Sequence, residues 1–534
     1  MNRVPCCRRR SWFFLGVQRG TWACAIQARV SISGEKNRLL RPATTTTEPL
    51  PQATVSPGAF GRGSRQSNAV PPFNRDRRKQ NMPKKRSVRT SASNGSDGGN
   101  GRVLAAPVFS QPQPTPDPQT FIVRHASDVA AYRMIDELNR EHKLKALPFP
   151  APRGGVEPRL TLADVIDNDQ TVLDQINANA QIVFHSTGDC GSTRGPKTQN
   201  EVSDKMVSDF DETDPAEVPQ FNFLLGDIVY SFGEAQYYYD QFYEPYRDYH
   251  APILAVAGNH DGMISPLQHE KSLQAFLRNF CSDCFQVSPD AGNLSRTAQI
   301  QPGVFFTFEA PFVRIIALYS NTLEDPGVIS NSDIGNSQLK FLKAALTRVK
   351  KEGYRGALLF AHHHPPYVAR GRHGWSIEMQ QQIDAICEEV GVWPHADLAG
   401  HAHNYQRFTR TRPDGTHIPY IVCGNGGHNV QRLTTNGQPP LRAPQLIQAA
   451  TKTTDAVVIE NYDDQNYGYL RIVANATQLR IEYHAAVDGP YTKAPDDQVT
   501  VDLATRQLSH YVARNAGIPA LATRIREFAQ SGKL

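Results

Sequence analysis

Gln181-Ile182-Val183-Phe184-His185-Ser186-Thr187-Gly188-Asp189-Cys190-Gly191 is a run of apolar and β-branched residues that stops on a glycine-flanked aspartate. A run of that length, rich in Val, Ile and Phe, reads as a strand buried on both faces, with Gly188–Gly191 as the loop at its end. The pattern recurs downstream. Phe221–Leu225 runs into Gly226-Asp227-Ile228-Val229-Tyr230, and Ile253–Ala257 into Gly258-Asn259-His260-Asp261. Ala357–Phe360 leads to His362-His363-His364-Pro365-Pro366-Tyr367, and Ala396–Leu398 to Gly400-His401-Ala402-His403. Val313–Tyr319 and Tyr420–Val422 are further apolar runs, and helical patterns at Gln268–Phe280, Asn336–Lys351 and Ile377–Val390 separate several of them. Alternation of this kind implies a layered α/β fold whose strand-end loops carry the function.

Outward from this centre the chain divides. Residues 181–490 read as one α/β domain that carries these motifs, closed by a hairpin of Tyr467–Val473 and Gln478–His484. Residues 116–180 read as a helical lead-in, in which Ala131, Met134, Ile135 and Leu138 share one apolar face. A second helical stretch there holds Leu162, Val165, Ile166, Val172, Leu173 and Ile176. Residues 491–534 read as a C-terminal helical segment. Residues 1–115 carry 20 Lys and Arg against 4 acidic residues, so the net charge of +5 for the 534-residue chain hides an acidic remainder. Basic clusters at Arg75–Lys79 and Lys84–Arg89 sit among Pro, Ser, Thr, Gly and Asn, a composition that cannot offset chain entropy by burial. The expectation for 1–115 is a disordered basic tail. A solvated extension, with Met82 as an alternative start, fits better than an arm for nucleic acid or an organelle transit peptide.

No stretch approaches the roughly 18 apolar residues that span a bilayer. Trp12–Val17, the most apolar early segment, is broken at Gln18-Arg19-Gly20, so a secretory signal is not expected and a cytoplasmic location is favoured. Of the eight cysteines only Cys281 and Cys284 have CxxC spacing. With no second pair a zinc knuckle is disfavoured, and the two are expected either as a local disulfide or as thiols.

Taken singly, each strand-end motif could be a turn or a polar loop. Taken together they supply Asp, Asn and His, the oxygen and nitrogen ligands of Fe, Mn and Zn, at positions that a single sheet edge can bring together. One carboxylate must bridge two ions about 3.5–4 Å apart, and composition leaves Asp189 and Asp227 as candidates. His401 and His403, at i and i+2, share a face of a continuing strand, and a turn could also converge them.

The set Gly-Asp-Cys-Gly, Gly-Asp-Ile-Val-Tyr, Gly-Asn-His-Asp, His-His-Pro-Pro-Tyr and Gly-His-Ala-His resembles the calcineurin-like metallophosphoesterase superfamily. The first two motifs resemble its purple acid phosphatase branch, over roughly residues 180–430. The resemblance implies a layered αββα sandwich with a dinuclear site at the C-terminal ends of strands. It implies Asp189, Asp227, Tyr230 and His403 on a first metal and Asp227, Asn259, His363 and His401 on a second, which makes Asp227 the bridge. His363 is the ligand of its triplet because the family sets a proline two positions on, here Pro365. Tyr230 implies Fe(III) at the first site, with Fe(II), Zn or Mn at the second. Arg407, in Asn404-Tyr405-Gln406-Arg407, is expected as a surface ion-pairing residue.

Two such ions acidify water and clamp phosphate oxygens, so the implied reaction is attack of hydroxide on phosphorus in line with the leaving oxygen. His260 is the first candidate to protonate that oxygen and His373 a second, matching the family's substrate-side histidine only loosely. The branch more often reads Gly-Asn-His-Glu, where this chain has Asp261, and its secreted members carry a signal peptide. Both departures suggest a divergent member. The expected activity is phosphoester hydrolysis, on monoesters or, as the alternative, on cyclic-nucleotide or other diesters. A non-catalytic metal-binding scaffold and nucleic-acid binding through the basic tail are the readings from other classes. Lys197–Pro219 and Leu323–Asn336 are expected to wall the cleft, and Arg194, Arg370 and Arg372 could contact phosphate.

Overall fold

Alternating short strands and helices fold into two sheets packed face to face. The computed structural model describes residues 106–109, 130–266, 271–434, 437–447, 455–490 and 492–513, all within the unit Gly95–Leu534. On the N-terminal side lie α1 (Ala130–Arg140), β1 (Arg159–Thr161), α2 (Leu162–Val165) and α3 (Gln170–Asn179). β2 (Gln181–Thr187), α4 (Lys197–Val207), β3 (Pro219–Leu224), β4 (Ile253–Ala255), α5 (Asn259–Gly262) and α6 (Gln274–Phe280) follow. Next come β5 (Phe306–Ala310), β6 (Val313–Ala317), α7 (Ser337–Glu352), β7 (Ala357–Ala361), α8 (Ile377–Val390) and β8 (Ala396–Ala399). The remaining elements are strands. They are β9 (Tyr405–Thr411), β10 (His417–Cys423), β11 (Gln445–Ile447), β12 (Ala456–Asp463), β13 (Gly468–Asn475), β14 (Gln478–Ala485), β15 (Asp497–Asp502) and β16 (Leu508–Ala513).

One sheet runs β1-β5-β6-β7-β8-β10-β9-β12-β11 and the other β16-β15-β14-β13-β2-β3-β4. β6, β7, β8 and β10 are parallel in the first, as are β2, β3 and β4 in the second. Parallel strands are buried on both faces, which explains their unbroken apolar runs. Between the sheets, Phe184 stacks on Phe221 with centroids 4.5 Å apart, and Phe221 meets Phe308 edge-on at 5.0 Å. Outside the sheets, Val202 and Met206 of α4, Phe276 and Phe280 of α6, Phe341 and Leu346 of α7 and Ile383 of α8 close a second apolar layer. The molecule is therefore the αββα sandwich expected from the sequence. Lys197–Val207 packs into this outer layer as α4 instead of walling a cleft, because Val202 and Met206 bury one face of it.

Several expectations need correcting. The buried face of α1 runs through Tyr132, Ile135 and Leu138, while Met134 is 45% exposed. The C-terminal stretch is strand as far as it is described: Val499 and Val501 of β15 alternate inward at a period of two and pair with β14. Residues 514–534 lie outside the described residues. So does the basic tail, except 106–109, where the Thr297 N–H donates to the Val108 carbonyl, the Val108 N–H donates to Thr297 Oγ1, and Phe109 packs on the inter-sheet core. Cys281 and Cys284 are thiols and do not form a disulfide with each other. Among the described residues no helix is long and apolar enough to cross a membrane.

Candidate metal centre

The C-terminal ends of β2, β3 and β4 in one sheet face those of β7 and β8 in the other, and the five motifs meet at this seam. Their backbone is unusual. Asp189, Asp227 and His401 have positive φ (55°, 53° and 67°), a conformation that costs a residue with a Cβ about 1 kcal/mol each. The flanking glycines permit close approach: a Cβ on Gly226 would lie 2.6 Å from His363 Nδ1, and one on Gly258 would lie 2.1 Å from Asp227 Oδ1. The loops are thus wound so tightly that side chains from distant segments point at one spot.

All seven expected ligands converge there and are buried. Tyr230 Oη donates to Asp189 Oδ1 at 2.9 Å, and His403 Nε2 is 3.3 Å from both. Asn259 Oδ1, His363 Nε2 and His401 Nδ1 form a second group with separations of 3.0–3.2 Å. Asp227 lies between the groups. Its Oδ2 is 3.2 Å from His363 Nε2, while its carboxylate, with that of Asp189, adds to burial in pushing the Tyr230 hydroxyl pKa well above its usual range. Asp227 and Asp189 together thus favour positive charge at this spot.

The histidines are aimed from behind. His363 Nδ1 faces the Leu225 carbonyl at 2.8 Å, which can only accept, so Nδ1 carries the proton and Nε2 presents a lone pair to the cluster. His401 Nε2 faces Asp325 Oδ1 at 3.3 Å, leaving Nδ1 inward, and His403 Nδ1 faces Asn429 Oδ1, leaving Nε2 inward. Lone pairs and carboxylates therefore crowd together, while Asp227 Oδ2 and Asn259 Nδ2 are buried without hydrogen-bond partners. Burial alone would lower the His363 pKa, but the Asp227 and Asp189 carboxylates outweigh it and push it up to about 9, so Nε2 takes a proton unless a cation claims its lone pair. Such a donor set fits cations. Asp227, His363 and His401 offer ligand atoms within 4.8 Å of one another.

His362 and His364 spend their ring nitrogens outside the cluster, although the His364 ring lies 4.2 Å from that of His401. His362 Nε2 bonds Asp397 at 3.1 Å, and His364 fills a niche between Ser320 Oγ (2.7 Å) and the Leu323 carbonyl (2.6 Å). His260 stands beside Asn259, its Nε2 3.9 Å from Asp227 Oδ2. His373 is no surface residue: its ring lies 4.2 Å from that of His401 and its side chain is 8% exposed. Asp261, at the position where the branch favours Glu, accepts from Gly258 N at 2.8 Å and Ile228 N at 3.1 Å, pinning two site loops together. Burial and the neighbouring Asp227 raise its pKa to about 7. Arg370 bonds the Pro439 carbonyl and Arg372 reaches Asp136, both away from the cluster. Arg407, expected at the surface, is 1% exposed and forks onto Asp497 at 2.7 and 3.0 Å, because β9 is an interior strand.

Sequence reasoning missed four neighbours of the cluster. His428 stacks on Tyr230 with centroids 3.6 Å apart, and Asn429 holds His403. Both follow Gly424-Asn425-Gly426-Gly427 after β10, the same strand-then-glycine signature as the other loops. Asp325, from the loop Leu323–Asn336, touches His401, and Tyr132 of α1 stacks on His260; neither carries a local signal.

No curated protein matches the chain. Among solved structures the chain is similar to a purple acid phosphatase, PPD1, from yellow lupin (Lupinus luteus) seeds, at 14% identity and a TM-score of 0.41. That match covers 60% of this chain and 54% of the lupin chain, so it spans little more than half of the relative's length. GAP50, the anchor in the inner membrane complex of Plasmodium, matches at 14% identity and a TM-score of 0.41 over 66% of this chain and 94% of its own. PhoD matches at 13% identity and 0.36, over 64% of this chain and 73% of its own. The family model for calcineurin-like phosphoesterases matches residues 186–405, from the end of β2 to the start of β9. Over these residues the chain is similar to the calcineurin-like phosphoesterase family, a likeness that implies a dinuclear metal centre and a phosphate-ester substrate.

Proposed function

We propose that the chain hydrolyses phosphate esters at a dinuclear centre held by Asp189, Asp227, Tyr230 and His403 on one side and Asp227, Asn259, His363 and His401 on the other. The observation that carries this reading is the inward set of imidazole nitrogens and carboxylates, with an oxygen placed behind the outward nitrogen of His363, His401 and His403. Asp227, lying between the two groups, would be the carboxylate held in common by two cations. Two cations bound there supply an acidified water and charge stabilisation at phosphorus.

The chain's own residues do the rest. His260 Nδ1 donates to the Ser231 carbonyl at 2.7 Å, so Nε2 is the nitrogen that faces substrate and, in the imidazolium form, carries the proton to be given. As water oxygen bonds to phosphorus and the bond to the leaving oxygen breaks, His260 Nε2 gives its proton to that oxygen, and the proton shed by water passes to solvent. His373, at the rim beside His401 and Asp325, is the second group able to serve that oxygen. The Tyr230 register supports the purple acid phosphatase branch and Fe(III) in the Asp189–His403 group, with Fe(II), Zn or Mn in the other.

The test is turnover of p-nitrophenyl phosphate and its bis-ester by metal-replete and chelated protein. Metal-dependent hydrolysis is expected, and the ratio of the two rates separates a monoesterase from the alternative diesterase. Turnover of neither ester by protein carrying two ions refutes the enzyme and favours a scaffold. Iron-loaded protein should show a visible tyrosinate band that Tyr230→Phe abolishes; a colourless protein with stoichiometric iron refutes the branch.

A further inference from the structure

The helix α1 lies about fifty residues before the family-matched segment, yet it sits on the metal-site loops. An 11-residue helix does not stand alone in water and needs an apolar partner. The partners of Ile135, Tyr132 and Leu138 are Phe232 and Met263, and these two belong to the loops that carry Tyr230 and His260. Tyr132 reaches furthest in. Its ring stacks on His260 with centroids 5.3 Å apart and planes at 23°, while Tyr230 covers His260 from another side at 4.3 Å. Its hydroxyl donates to Glu324, the neighbour of Asp325, and its ring edge meets Phe232 at 6.4 Å. The following segment is tied to the same loop: Leu147 exchanges two hydrogen bonds with the Asn321 side chain, at 2.7 and 2.9 Å.

His260 is therefore clamped on its faces by two aromatic rings and at Nδ1 by the Ser231 carbonyl, so only its Nε2 edge is presented to the metal cluster. We infer that Tyr132 is a positioning residue for His260, and that α1 is a working part of the active site supplied from outside the phosphoesterase segment. This rests on His260 as the proton donor of the proposed hydrolysis. A donor held in place matters most when the leaving oxygen is basic and least when it departs as p-nitrophenolate.

The experiment compares full-length wild type, Tyr132→Ala and Tyr132→Phe on p-nitrophenyl phosphate and on phenyl phosphate, with metal content measured for each. Tyr132→Ala should keep both ions and lose at least about tenfold more kcat on phenyl phosphate than on p-nitrophenyl phosphate. Tyr132→Phe, which keeps the stacked ring, should restore the wild-type ratio. Reaction of His260 with diethyl pyrocarbonate, read by mass spectrometry, should quicken in Tyr132→Ala and not in Tyr132→Phe. Equal losses on both esters, loss of metal, or a Phe variant as impaired as Ala overturns the positioning role while leaving the hydrolase intact. Metal-replete wild type that turns over neither ester overturns both.

Discussion

Replacing Asp325 tests how His401 is aimed. Its Oδ1 lies 3.3 Å from His401 Nε2 and also accepts the Gly374 N–H at 2.8 Å. A carboxylate behind a ligating imidazole fixes the tautomer, so that the other nitrogen keeps its lone pair for the ion. Losing such a partner typically costs 10- to 100-fold in metal affinity. The contact here is long, and the Asp325 side chain is 28% exposed, so water screens it and the lower end applies. Asp325→Ala should weaken binding at the Asn259–His363–His401 group about tenfold, ~1.4 kcal/mol, and Asp325→Asn, which keeps an acceptor oxygen, about threefold. The assay is titration of chelator-stripped protein with Zn(II) against a chromogenic competitor, with thermal unfolding of each apo form to show that the loop has survived the loss at Gly374. Binding by Asp325→Ala as tight as wild type at both steps would refute the reasoning.

Asp497→Leu leaves Arg407 charged and buried, so urea unfolding should show a loss of about 3–5 kcal/mol, most of it recovered in Arg407→Leu/Asp497→Leu. A single variant within about 1 kcal/mol of wild type contradicts the buried pair. His395 accepts the Leu358 N–H at Nδ1, and burial, aided by Arg506, pushes its pKa down to about 3. The unfolded chain, near 6.5, takes up this proton first, so stability present at neutral pH drains away as pH falls from about 6.5 towards 3. The share lost by pH 4 is about 3 kcal/mol, and the acid slope should flatten by that much in His395→Leu. His260→Ala should keep both ions and lose on the order of a hundredfold in kcat, and a parallel fall in metal content would make His260 structural instead.

The strand-end motifs were legible because parallel strands print unbroken apolar runs, and glycines mark where they stop. His363 could be separated from His362 and His364 only through the family pattern; in the fold, the strand end simply points the three rings in three directions. Asp325 and Tyr132 were not legible, since their place is set by how one loop and one lead-in helix dock, which leaves no periodicity behind. Arg407 was misjudged because a basic residue in a strand looks exposed until its partner, ninety residues further on, is known. The C-terminal strands were hidden because Val499 and Val501 alternate over too few residues to outweigh the helical pattern of the residues downstream.

The seam position of the cluster reaches beyond catalysis. Asp189, Asp227 and Asn259 extend one sheet and His363, His401 and His403 the other, and Asp189 already accepts from the His401 N–H across 212 residues of chain. Ions bound there act as a rivet between two plates, closing a loop as long as that of any wide-span disulfide. On the proposed dinuclear reading, loading the protein with metal would govern how long the folded state lasts as well as how fast it works, and a chelator would prise the sandwich open along one edge.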